Sequence, residues 1–259
     1  MSKSSDIIEV YDQYVLKTYT RNQVVVVKGE GSVVWDAEGK EYIDLFPGWG
    51  VSSLGHCHPR ITAVLREQAG ELLHMPNNYY NRWQGELARA IVEKSFPGKV
   101  FFGNSGAEAN EGAIKLAKRR GQELGDRDEI ITMRSSFHGR TMATITATGQ
   151  DKYHSGFGPL VPGFKYIPFN DPALLRQAVN PKTAAIMLEL VQGEGGVHPA
   201  TQEMVETVRE ICDREGILMI ADEVQTGLGR TGHYCAFQEF GIEPDVMTLA
   251  KALGGGVPV

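Results

Sequence analysis

Gln202-Glu-Met-Val-Glu-Thr-Val-Arg-Glu-Ile-Cys-Asp-Arg-Glu215, Gly216, Ile217-Leu-Met-Ile-Ala221 and Asp222-Glu-Val-Gln225 form one continuous stretch from which the fold can be read. Its first part places Val205, Val208, Ile211 and Cys212 at the three- and four-residue spacing of one helical face. Its second part, Ile217–Ala221, is apolar throughout instead of alternating, so the strand it predicts is buried on both faces. The same handover of helix to apolar run repeats along the chain. Lys99–Phe102 precedes a helix at Gly106–Arg120, and Glu129–Met133, Phe164–Phe169, Ala184–Leu190 and Asp245–Leu249 supply the other strands. Such repetition predicts an α/β fold: an open, mostly parallel central sheet with helices on both faces.

Upstream, Pro59–Leu73 is predicted as a helix with Pro59 in its first turn and Ile61, Val64, Leu65 and Leu72 on one face. Arg82–Phe96 is a second, with Leu87, Ala90 and Ile91 as its stripe. The first fifty residues differ. Val24–Val27, Ser32–Asp36 and Glu41–Leu45 are short β-forming runs separated by Gly29-Glu-Gly31 and Ala37-Glu-Gly39-Lys40, a small meander. The change of pattern divides the chain into an N-terminal segment, 1–54, and a large domain, 55–259.

Composition narrows the function. Of 259 residues, 42% are hydrophobic and 22% charged, so a packed soluble core is expected and global disorder is excluded. A net charge of −6 leaves no electrostatic footprint for nucleic acid or an anionic membrane. The apolar runs are too short to span a bilayer, and Met1–Asp6 has no apolar stretch behind it that would make a signal peptide. Cys57, Cys212 and Cys235 form no CxxC pair, which argues against a disulfide framework and for a reducing, cytoplasmic compartment.

Ligands of open α/β sheets sit at the carboxyl ends of the strands, so the polar residues after each apolar run matter most. Ser105 and Glu108 form a capping box; a well-capped helix explains it, and an anion cradle at its N-terminus is the functional alternative. Ser135-Ser-Phe-His-Gly-Arg140 offers a ring to stack and a guanidinium to grip a carboxylate. Glu189 lies inside an apolar run and Glu194 in the glycine loop Gln192–Gly196; a buried Glu189 requires a polar network or an ion pair. Asp222, at the end of a buried strand, calls for a cationic partner. Lys251, flanked by small residues, is poised for a lowered pKa, although a solvated lysine is the ordinary alternative. Gly227-Leu-Gly-Arg-Thr-Gly232 matches G-x-G-x-x-G, but it neither follows its strand directly nor opens a long helix. His56-Cys57-His58 lacks further metal ligands and reads as the entry to the Pro59 helix.

Taken together, Leu54-Gly-His-Cys-His-Pro59, Asn104–Ala109, Phe137-His-Gly-Arg140, Gln192-Gly-Glu-Gly195, Asp222–Gly232 and Lys251 resemble, in this order and spacing, the class III (subgroup II) aminotransferases of fold type I. The likeness covers essentially the whole chain. It implies pyridoxal 5'-phosphate as cofactor, a small-molecule amino donor, 2-oxoglutarate as acceptor, and a homodimer with the site at its interface. It further implies that Lys251 bonds covalently to the cofactor and carries protons, and that Asp222 pairs with the pyridine nitrogen. Phe137 would stack on the ring, Gln225 would bond its hydroxyl, and Ser105, Gly106 and Ala107 would hold the phosphate. His138, Glu223 and Val224 would complete the cofactor's surroundings, Arg140 would bind a substrate carboxylate, and Glu194 would gate a later arginine. The compact N-terminus and the Phe137–Arg140 loop resemble the branch that takes N2-acetyl-L-ornithine in arginine biosynthesis. The ornithine, 4-aminobutyrate and succinyl-ornithine branches are neighbours, and a glutamate-semialdehyde aminomutase is the alternative reaction. Members of the family continue well past the lysine into a C-terminal small domain; the chain is therefore expected to be a fragment lacking that part.

Overall fold

The computed structural model describes residues 3–259; Met1 and Ser2, the start of the segment read as lacking a signal peptide, lie outside the described residues. The elements run α1 (Lys3–Tyr14), β1 (Val26–Glu30), β2 (Val33–Asp36), β3 (Glu41–Ile43), α2 (Pro59–Glu71), α3 (Arg82–Lys94) and α4 (Gly106–Glu123). They continue with β4 (Glu129–Met133), α5 (Met142–Ala147), α6 (Asp151–His154), β5 (Phe164–Ile167), α7 (Pro172–Ala178), β6 (Thr183–Leu188), β7 (Val191–Gln192) and β8 (His198–Pro199). Last come α8 (Gln202–Glu215), β9 (Leu218–Asp222) and β10 (Val246–Thr248).

Two compact units divide between Tyr80 and Asn81. In the first, β1–β3 form the antiparallel meander expected from the turns, and the preceding α1 is an element that the β-rich reading did not contain. The division falls later than the change of pattern after Leu54, because the chain near His56 is tied back to the meander. Gly31 and His56 exchange backbone hydrogen bonds of 2.9 and 2.8 Å, and His56 Nε2 lies 2.6 Å from Asp44 Oδ2. His56 is thus committed to a carboxylate and His58 occupies the N-cap position of α2, which gives the His-Cys-His motif a structural use. The apolar stripe of α2 is not buried: no residue of this helix is, and Val64 is 62% exposed.

The second unit carries a five-stranded sheet, order β10-β9-β6-β4-β5, parallel at every pairing. Its strands are apolar throughout because alternate residues feed two cores. Ile131, Ile186, Leu188 and Met219 pack with Met204, Val205, Val208 and Ile211 of α8. Ile130, Ala185, Met187 and Ile220 pack with Ala113, Ile114 and Ala117 of α4 on the opposite face. Each large buried aliphatic here is a position where truncation to alanine costs about 2–5 kcal/mol. α4 sits close on the sheet: a Cβ on Gly121 would overlap Arg127 O and come within 2.9 Å of Ala184 Cβ. Lys99–Phe102, predicted as a strand, joins no sheet among the described residues. Phe101 remains 75% exposed there, so the segment is an extended lead into α4. No helix among the described residues is long and apolar enough to cross a membrane.

Candidate active site

The loops after β4, β6, β9 and β10 leave the same end of the sheet, where the N-terminus of α4 meets them. Gly106 is the point of contact: a Cβ there would stand 2.7 Å from Val224 Cγ1 and 3.4 Å from Ala250 Cβ. Gly139 does the same for the β4 loop, its would-be Cβ lying 3.0 Å from Ala107 Cβ. Segments far apart in sequence, Ser105–Ala107, Phe137–Arg140, Asp222–Gln225 and Ala250–Lys251, therefore converge.

Asp222 ends β9 and is 3% exposed. Burying a carboxylate is unfavourable by several kcal/mol unless its oxygens are satisfied, and they are. His138 Nδ1 lies 2.7 Å from Oδ2, Asn110 Nδ2 donates at 2.8 Å, and Val224 N donates to Oδ1 at 3.1 Å. Burial alone would lower the His138 pKa, but the bond to Asp222 and its charge carry it above the ordinary histidine value. Asn110 also donates to His138 O at 2.7 Å, so one amide fixes both ends of the pair. Asn110 was not among the residues picked from the sequence. Its signal was there, one helical turn beyond Gly106 on the same face of α4.

Lys251 follows β10 in left-handed backbone, φ 48°, a conformation that a non-glycine residue holds only where its surroundings impose it. Half-buried, its amine has a pKa lowered by desolvation, against the opposing charges of Asp222, Glu194 and Glu189. At the head of α4 Ser105 Oγ accepts from Glu108 N at 3.2 Å, while Glu108 closes back on Asn104 N at 2.9 Å. The first-turn N–H groups of Gly106 and Ala107 have no acceptor within the helix and form the partial positive end of its dipole, the geometry of an anion site.

Phe137 stands edge-on to Tyr153, ring centres 5.5 Å apart, and Arg140 lies over both rings, 4.3 Å from the centre of Tyr153 and 5.6 Å from that of Phe137. Tyr153, on the short α6, is a second residue that sequence reasoning missed; nothing in its local pattern marks it. Glu189 is 5% exposed and accepts from Phe137 N at 2.9 Å. Burial pushes its carboxyl up to about 7, against the pull of His138. Gln225 packs on Gly193 of the loop that carries Glu194; a Cβ at Gly193 would overlap its Oε1.

Glu223, expected beside the cofactor, has a buried carboxylate bonded to Thr226 Oγ1 and to Phe237 N, where it anchors the turn after β9. The neighbouring Gly227–Gly232 motif forms successive turns and leads only to a short 3-10 segment at Ala236–Phe240, so its glycines serve turns and open no dinucleotide helix.

A parallel α/β sheet that joins a strand-end lysine, a locked carboxylate and a helix-capped anion cradle defines the fold type I class of pyridoxal-phosphate-dependent transferases. The chain belongs to the class-III aminotransferase family, whose profile matches residues 14–259. It is 56% identical over 249 residues to the acetylornithine aminotransferase of Caldanaerobacter subterraneus subsp. tengcongensis, covering 95% of this chain and 63% of that protein. It is 51% identical to the same enzyme of Methanocaldococcus jannaschii, covering 97% and 64%. Among solved structures, the N-acetylornithine aminotransferase of Stenotrophomonas maltophilia superposes with a TM-score of 0.82 at 42% identity, covering 97% of this chain and 63% of that one. The ornithine aminotransferase of Toxoplasma gondii gives 0.93 at 35% identity, covering 100% and 62%. The chain thus spans just under two thirds of the length of these relatives. Members of the family use pyridoxal phosphate, and the residues present fit it. The Gly106 cradle, which a side chain would fill, suits its phosphate, and the immobilised Asp222 suits its protonated ring nitrogen.

Proposed function

We propose that the protein carrying this chain transfers the ω-amino group of N2-acetyl-L-ornithine to 2-oxoglutarate, as a cytoplasmic homodimer in arginine biosynthesis. The observation that carries the chemistry is the placement of Lys251 and Asp222 after adjacent parallel strands, beside the head of α4. Bound pyridoxal phosphate supplies a carbonyl that takes up the amine and a ring that withdraws electrons from the carbon losing its proton. Asp222 keeps that ring electron-poor by holding a proton at the pyridine nitrogen, and His138 and Asn110 keep Asp222 in place. Lys251 holds the cofactor between turnovers and, released, moves the proton; its lowered pKa leaves more of the free base near neutrality. Gly106 and Ala107 bind the phosphate, Phe137 covers one ring face and Gln225 bonds the ring hydroxyl. Arg140, with its guanidinium spread over Tyr153 and Phe137, presents a fork to the donor's carboxylate. Glu194 gates a later arginine that binds the acceptor, and the large domain, 55–259, supplies the residues named here.

The donor rests on the relatives, among which the succinylornithine transaminase of Yersinia pseudotuberculosis is 45% identical over 257 residues. Two measurements test the reading. Borohydride reduction of the loaded protein followed by peptide mapping labels Lys251; a label on Lys115 or Lys118 overturns it. Competition among acetylornithine, succinylornithine, ornithine and 4-aminobutyrate, each with 2-oxoglutarate, favours acetylornithine in kcat/KM. A clear preference for another donor reassigns the substrate, and turnover without any keto acid makes the protein a mutase.

A further inference from the structure

Glu189 stands directly after β6, nearly sealed from solvent, and holds two loops at once. Its carboxylate accepts from Phe137 N at 2.9 Å and also from the backbone N–H of Gly193. The two loops are in contact elsewhere too. Gln192 Nε2 donates to Arg134 O at 2.9 Å, and a Cβ on Gly195 would stand 2.5 Å from Ser135 O. Whatever shifts one loop against the other therefore shifts Phe137, Arg140, Glu194 and, through Gly193, Gln225.

We propose that Glu189 is a positioning residue that sets the spacing between the Ser135–Arg140 loop and the Gln192–Gly196 loop, and so the seat of ring and donor between them. The proposal rests on the functional reading above; Glu189 itself touches no reacting atom. The choice of residue follows from donor and acceptor chemistry. Two N–H groups arriving from two loops need an acceptor with two oxygens, which a carboxyl group provides and which, ionised above about pH 7, carries no hydrogen of its own. Glutamine, of equal size, satisfies one of them and turns its NH2 toward the other. Unpaired buried donors are costly enough that the loops then part.

Hydrogen–deuterium exchange of the intact, cofactor-free protein tests this without reference to catalysis. In Glu189→Gln, peptides covering 135–140 and 192–196 exchange about tenfold faster, the factor expected for one lost charge-assisted hydrogen bond, while peptides of β6 and β9 exchange as before. With cofactor bound, the circular dichroism of its visible band changes, and kcat for the donor falls more than KM rises. Unchanged exchange in both loops overturns the proposal. So does an equal acceleration throughout the second unit, which would make Glu189 an ordinary fold residue. Should Glu189→Gln fail to fold, Glu189→Asp, one methylene short of both donors, is judged by the same loop peptides. Failure of the functional reading is separate: Lys251 would then go unlabelled while the exchange result stood.

Discussion

Asp222 and Lys251 leave adjacent parallel strands, yet their surroundings differ in kind. At the end of β9 the carboxylate is 3% exposed and held by an imidazole, a side-chain amide and a backbone N–H. At the end of β10 the lysine sits half-buried in left-handed backbone, and its Nζ makes no hydrogen bond or ion pair among the described residues. Rigidity is concentrated on one charge and withheld from the other. A group that stabilises developing charge works best when it needs no reorganisation, whereas a group that must bond, release and move a proton has to travel. That contrast in packing supports the proposed division of labour.

Breaking the fixed half has the largest expected effect. Asp222→Ala removes the preorganised partner of the ring nitrogen and leaves His138 Nδ1 and Asn110 Nδ2 without their acceptor. Loss of such an electrostatic partner costs roughly 3–4 kcal/mol, on the order of a hundred- to thousandfold in rate, while the cofactor is still captured by Lys251 and α4. Single-turnover kinetics checks it, and a rate near wild type would remove Asp222 from the mechanism.

Loosening the fixed half without removing it comes next. Asn110→Ala deletes the amide that joins Asp222 to His138 O but keeps the imidazole bond. A hydrogen bond to a charged group contributes about 1.5–3 kcal/mol, so about tenfold or somewhat more is expected in the same assay. Asn110→Asp is worse than Asn110→Ala, because it sets a second carboxylate against Asp222 in a dry site. If both variants turn over as the wild type does, His138 and the Val224 N–H suffice to hold Asp222 rigid.

What the sequence disclosed of this comparison follows from how local each signal is. Both-face burial writes continuous apolar runs, so Glu129–Met133 and Gln202–Glu215 were legible to the residue, and with them the parallel sheet. Strand ends then pointed to Asp222 and Lys251. Lys99–Phe102 misled, since a short apolar run carries no record of whether a neighbouring strand pairs with it. The stripe of α2 was legible as an amphipathic pattern, but a pattern does not say what covers it. Asn110 reaches Asp222 across 112 residues, and no spacing rule spans that distance. The partner of the Glu223 carboxylate at Phe237 N, 14 residues on, was equally out of reach of a local pattern.

The smallest effect, and the sharpest probe of how the fixed half is held, is on the pH profile of stability. Glu189 has an ordinary value of 4.5 when unfolded and about 7 when folded, raised by burial. Between these values the folded protein keeps a proton that the unfolded chain has released, so stability must fall as pH rises from about 4.5 to about 7. His138 acts in the same sense, because its folded value lies above 6.5. Asp44 and Glu129 act oppositely: their folded values are lowered, by His56 and Lys165 respectively, and their contribution is lost as pH falls. A bare pH profile therefore mixes both signs, and a difference between variants separates them. Glu189→Gln has no proton to hold, so relative to wild type its melting temperature should rise steadily across the window from about pH 4.5 to about pH 7 and level off above it. Thermal melts of the cofactor-free protein in matched buffers give that difference directly. A difference that stays flat through the window would mean that Glu189 is ionised throughout, and that the N–H groups of Phe137 and Gly193 already outweigh the cost of burying its charge.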